Sequence, residues 1–175
     1  VIRMAMRFLF GLRTTSYCTF PAVFTTLSRM NTPMKLHLQQ RITYHRAVEH
    51  VPQCDMMFDR MTKTLDRCPV GSEGILVIES ELTDELCLLS CTGAAYRLPS
   101  ETEPHILSIE AGSHLFLQLA FAPANGAALI PLLNRFAMTP DYRKGTTRRM
   151  FLRLYKEKQF EIAIQCIAPI DTTAE

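Results

Sequence analysis

A single change of hydrophobic period constrains this chain more than any other feature. From Cys54 to Cys68 the apolar residues Cys54, Met57, Phe58, Met61, Leu65 and Cys68 fall at offsets 0, 3, 4, 7, 11 and 14. That is one stripe along a 3.6-residue helix. Pro52 suits a first helical position, and Cys68-Pro69-Val70-Gly71 ends the run. Asp59 and Lys63 lie one turn apart on the wet side, where they can pair. After Gly74 the period becomes two.

Ile75–Ile78 reads as a buried strand, Leu86–Cys91 as a second, and Ala94–Leu98 as a third across a Thr92-Gly93 turn. His105–Glu110 and His114–Phe121 follow, separated by Ala111-Gly112-Ser113. A helix is expected near 127–138, with Pro131 kinking it or marking its first turn. Two more strands, Arg148–Tyr155 and Phe160–Ile167, close the chain. Turn signals every 8 to 12 residues suggest an antiparallel meander. The expected fold is α+β: an antiparallel sheet of about six or seven strands with two helices packed on one side.

Charge divides the chain differently. The first acidic residue is Glu49, and seven basic residues precede it: Arg3, Arg7, Arg13, Arg29, Lys35, Arg41 and Arg46. The remainder holds 12 basic and 17 acidic residues, so a +7 segment precedes a −5 body. Met4, Phe8, Leu9 and Leu12 share one helical face, flanked by Arg3, Arg7 and Arg13. An acid-free, Arg- and hydroxyl-rich amphipathic leader is the pattern of mitochondrial import. Arg13 interrupts the apolar run too early for a secretory signal. The expected organisation is a targeting leader or extended arm over 1–35 and one α+β domain over 36–175, in the mitochondrial matrix.

Leu115–Asn134 carries no charge for twenty residues, long enough to span a bilayer. Gln118, Asn125, Pro123 and Pro131 argue for strand, turn and helix instead. The six cysteines show no C-x-x-C spacing. Cys87 and Cys91 would lie about 13 Å apart along a straight strand, too far to bridge. Reduced core thiols are expected.

Catalytic templates are missing from the sequence. There is no G-x-S-x-G, G-x-x-x-x-G-K-[ST] or G-x-G-x-x-G, and Gly71-Ser-Glu-Gly74 reads as a turn. His45 and Glu49 could share a helical turn but lack a third metal ligand. His105 and His114, near Glu101 and Glu103, form the one conceivable acid–base set, without a nucleophile. No enzyme, metal, cofactor or small-molecule substrate is expected.

The segment from 143 to 158 holds seven basic residues against one Glu. As a strand it turns Met150, Leu152 and Leu154 to the core and Arg149, Phe151, Arg153 and Tyr155 the other way. Arginines alternating with rings offer phosphate contacts and stacking surfaces to single-stranded nucleic acid. Arg143, Lys144 and Arg148 would add phosphate contacts from the preceding loop. The sequence therefore suggests a non-catalytic RNA-associated subunit of a mitochondrial ribonucleoprotein. The alternative is a protein-binding accessory subunit of a respiratory-chain or ATP-synthase complex, with the same strand meeting protein.

Overall fold

The computed structural model describes residues 32–44, 46–47, 53–83, 87–100, 107–119, 123–145, 148–159 and 161–170. Residues 1–31 of the expected leader and the His45–Glu49 pair lie outside them, as do His105, Glu101 and Glu103, whereas residues 34 and 35 of the expected leader belong to the first strand.

Nine strands and three helices follow one another in the described chain. β1 (Met34–Leu38), β2 (Ile42–Tyr44) and β3 (Arg46–Ala47) precede helix α1 (Cys54–Leu65). β4 (Glu73–Leu82), β5 (Cys87–Arg97), β6 (Leu107–Ile109) and β7 (Gly112–Gln118) come next. Helices α2 (Gly126–Ala137) and α3 (Pro140–Lys144) lead to β8 (Arg149–Lys158) and β9 (Glu161–Pro169). Seven strands form one antiparallel sheet in the order β1-β7-β9-β8-β4-β5-β3, and β2 pairs with β6 in a second, two-stranded sheet. The α+β architecture expected from the periods is present. The strand order is not a simple meander, because the β8–β9 hairpin inserts between β7 and β4.

Strand parity divides the main sheet into two faces. Leu76, Ile78, Met150, Leu152, Leu154, Cys166, Leu115 and Leu117 point to one face, where Met57, Phe58, Met61 and Leu65 of α1 and Leu129, Leu133 and Phe136 of α2 cover them. The helical stripe is therefore a core face, and both long helices lie on one side of the sheet. The opposite face carries a second core of Ile75, Val77, Ala95, Phe116, Phe151 and Ile167, covered by Leu38, Ile42, Tyr44 and Ile109. Most of those covering residues belong to the small β2–β6 sheet.

The two strands expected on either side of Thr92-Gly93 are one strand. β5 pairs with β4 throughout, Val77 opposite Gly93 and Ile78 opposite Cys91, so Thr92 is an extra residue in a bulge rather than a turn. Asp59 also departs from its expected pairing with Lys63. Its Oδ1 accepts the Gly126 backbone N–H at 2.8 Å and caps α2 from a neighbouring helix. The Asn125 side chain accepts from Ala128 N at 3.0 Å and caps the same end. Pro131 sits inside α2 on its exposed side. The described parts of the uncharged 115–134 stretch fall in β7 and α2. Among the described residues no helix is long and apolar enough to cross a membrane.

Candidate functional site

β8 lies in the middle of the main sheet, between β9 and β4. That position determines what its side chains can do. Met150, Leu152 and Leu154 enter the helix-covered core, as the alternation predicts. The opposite row was expected to face outward, and the structure corrects this for two of its four residues. Phe151 is 7% exposed and Arg153 is 5% exposed, because the β2–β6 sheet lies across that face. Parity assigns a residue to a face; it does not say whether another layer covers it.

Arg153 is held by a buried polar cluster. Its Nε donates to Glu73 Oε2 at 2.8 Å and its Nη1 donates to Gln165 Oε1 at 2.8 Å. Arg97 Nη2 donates to the other Glu73 oxygen, and its guanidinium lies 5.8 Å from the centre of the Tyr44 ring. Tyr44 OH donates to Glu73 Oε2 at 3.4 Å. Burial alone would raise the Glu73 pKa, but the Arg153 and Arg97 guanidiniums reverse that and hold it below its ordinary value. Burial pushes the Tyr44 phenol well up, so it stays a neutral donor. Tyr155 is half-buried, with the Arg153 guanidinium 5.5 Å from its ring centre. The arrangement pins the β2–β6 cover to the sheet and buries Phe151, leaving Tyr155 as the partly exposed ring of the row.

Lys156, counted in the basic run, faces the helices. It is buried, and its Nζ donates to the carbonyls of Leu65, Asp66 and Cys68 at 3.1, 2.7 and 2.8 Å. The ammonium closes the C-terminal end of α1, where unpaired carbonyls and the helix dipole favour a cation. Its role is structural.

The remaining basic residues gather at the start of β8. Arg143 and Lys144 end α3 and are exposed, as are Arg148 and Arg149. Arg148 Nη1 donates to the carbonyls of Tyr142, Arg143 and Gly145 at 3.3, 3.1 and 3.0 Å, fixing the corner between α3 and β8. Beneath that corner Ser80 Oγ and Tyr142 OH share a 2.6 Å hydrogen bond. Burial pushes the Tyr142 pKa up to about 12. Arg149 pairs with Glu79 at 3.0 Å on the surface.

These residues border an open depression of about 550 Å³ lined by Glu79, Glu81, Leu88, Ser90, Arg148 and Arg149 among others. Glu79 lies between Ser90 and Arg149 in the register, and Glu81 is opposite Leu88. Its lining takes both strand parities: Glu79, Glu81, Leu88, Ser90 and Arg149 from the face bearing Phe151 and Arg153, and Ser80 and Leu89 from the helix-covered face. Leu88 is 61% exposed there. Glu79, Glu81 and Leu88 were missed in the sequence because each lies in an ordinary strand pattern. Parity along β4 and β5 was the available signal.

His114 is buried, with Nδ1 2.9 Å from the Gly112 carbonyl oxygen. Burial lowers its pKa below the ordinary 6.5. Cys54, Cys68, Cys87, Cys91 and Cys166 are free thiols. Among the described residues no group of three or more His, Cys, Asp or Glu is placed to hold a metal ion. No protein-family model matches the chain, and no curated protein matches it.

Proposed function

We propose that this protein is a non-catalytic accessory subunit of a mitochondrial complex that binds another protein through the depression at the β4–β5–β8 end of its sheet. One observation carries the reading. The depression mixes two carboxylates, Glu79 and Glu81, with two arginines and a largely exposed leucine. Carboxylates in the lining repel a phosphate backbone, whereas mixed charge beside an apolar side chain suits a protein surface. The acid-free leader supports the mitochondrial compartment.

RNA association is a second reading, favoured by the exposed cations Arg143, Lys144, Arg148 and Arg149 at one corner. With Phe151 and Arg153 buried, this reading rests chiefly on phosphate contacts, with Tyr155 the partly exposed ring of the row. Gradient fractionation of mitochondrial lysate with and without ribonuclease separates the two. The protein reading expects a heavy, ribonuclease-resistant position that is lost in a Leu88→Asp, Arg149→Glu double variant. Movement to a light fraction on ribonuclease treatment overturns it in favour of RNA. Arg143→Glu with Lys144→Glu should then abolish the association.

A further inference from the structure

The two edges of the main sheet differ. β1 forms one edge, with Lys35 and His37 exposed. Charged side chains on an edge strand discourage pairing with foreign strands. β5 carries no charged side chain from Cys87 to Ala94, and its Thr92 bulge limits the regular edge to Cys87–Cys91. It pairs with β4 over its full length, but β3 pairs with it only at Ala95 and Tyr96. Among the described residues, nothing pairs with that side of β5 from Cys87 to Ala94. The uncovered stretch begins Cys87-Leu-Leu-Ser-Cys-Thr92, with no charge and no proline. An apolar edge of this kind is a template for an added strand.

Side chains on both faces indicate what that strand should carry. On the helix side, Cys87 and Leu89 are half-buried at the margin of the main core. A strand beside them completes their burial if its residues on that side are apolar. On the other side, Leu88 is 61% exposed directly opposite Glu81. Glu81 is exposed and makes no ion pair among the described residues. A residue of an added strand level with Leu88 lies two strand spacings from Glu81, roughly 10 Å. A lysine or arginine spans that gap, its methylenes lying on Leu88 and its charge on the carboxylate. Neighbouring Glu79 is already paired with Arg149, so of these two carboxylates Glu81 is the one left for a partner.

We infer that the β5 edge accepts an extended segment of a partner protein as an added β-strand. Its residues alternate between apolar side chains packed on Cys87 and Leu89 and basic side chains laid over Leu88 toward Glu81. The inference rests on the protein-binding reading and names the partner's chemistry.

The test uses the full chain and three synthetic octapeptides. One alternates valine and lysine, one alternates valine and glutamate, and one repeats the valine–lysine sequence with alternate backbone nitrogens methylated. The valine–lysine peptide should bind below ~1 mM and protect from hydrogen exchange those amides of Leu88–Ser90 that point away from β4. The glutamate and N-methylated peptides should each bind about tenfold more weakly or worse. Glu81→Lys, an exposed substitution expected to leave the melting temperature unchanged, should reverse the lysine-over-glutamate preference. Absence of binding at ~1 mM overturns the inference, as does indifference to N-methylation or to Glu81→Lys. Self-association of the chain through β5 would also overturn it, by making a second copy the occupant. Failure of the wider reading looks different. In that case the protein co-sediments with no ribonuclease-resistant complex, whatever the peptides do.

Discussion

Arg153 and Glu73 are 80 residues apart in the chain and form a buried ion pair, Arg153 Nε donating to Glu73 Oε2 at 2.8 Å. Each lies on a central strand, β8 or β4, and each has a second partner, Gln165 or Arg97. The pair links the middle of the sheet to Tyr44 in the small covering sheet. It explains why a basic residue in an apparently surface-directed row is buried.

Removing either member breaks a buried ion pair: Glu73→Ala takes the carboxylate away from Arg153, and Arg153→Ala leaves Glu73 with the Arg97 guanidinium. Arg153→Ala and Glu73→Ala should each destabilise the protein by about 3–5 kcal/mol. Arg149→Ala removes a surface pair instead and should cost at most about 1 kcal/mol. Urea unfolding of the three variants measures both values. Similar losses at positions 149 and 153 would show that burial of Arg153 contributes nothing.

Lys156 holds three carbonyls at the end of α1. Lys156→Met keeps the apolar stem and removes the three donated hydrogen bonds. A loss of about 1–3 kcal/mol is expected, with hydrogen exchange accelerated in the last turn of α1 before the rest of the chain. Uniform exchange along α1 would contradict the capping role.

Gly126 lies where α2 begins against α1. A methyl group there would run into the Asp55 backbone, which has no flexible side chain to move aside. Gly126→Ala should therefore cost about 1–3 kcal/mol or more by forcing the helices apart, despite alanine's better helix propensity. Gly93→Ala meets only the Val77 side chain and should be milder. Thermal melts of the two variants give the order.

His114 predicts an acid-side weakness. Its folded pKa lies below the ordinary 6.5, chiefly through burial, so the unfolded chain binds the proton more readily. Its contribution to stability is complete above about 6.5 and declines as pH falls toward the folded value. Wild type should lose stability as pH falls below about 6.5, and His114→Gln should flatten that slope. An unchanged slope in the variant would assign the acid sensitivity to other groups.

Local pattern determined a large part of this protein. The Cys54–Cys68 stripe, the alternation in β4 and β8 and the turn after Ile109 were legible because periods of 3.6 and 2.0 are set by neighbours in the chain. So was the assignment of Met150, Leu152 and Leu154 to one face and Arg149, Phe151, Arg153 and Tyr155 to the other. Tertiary structure alone decided which face lay open. The cover over Phe151 and Arg153 comes from β2 and β6, each three residues long and too short to carry a periodic signal. Glu73, Arg153, Arg97, Tyr44 and Gln165 meet only because five strands place them on one surface. Long-range pairing of this kind leaves no trace in local spacing. The same basic sequence therefore supplies a buried ion pair at Arg153, a helix cap at Lys156 and surface charge at Arg149.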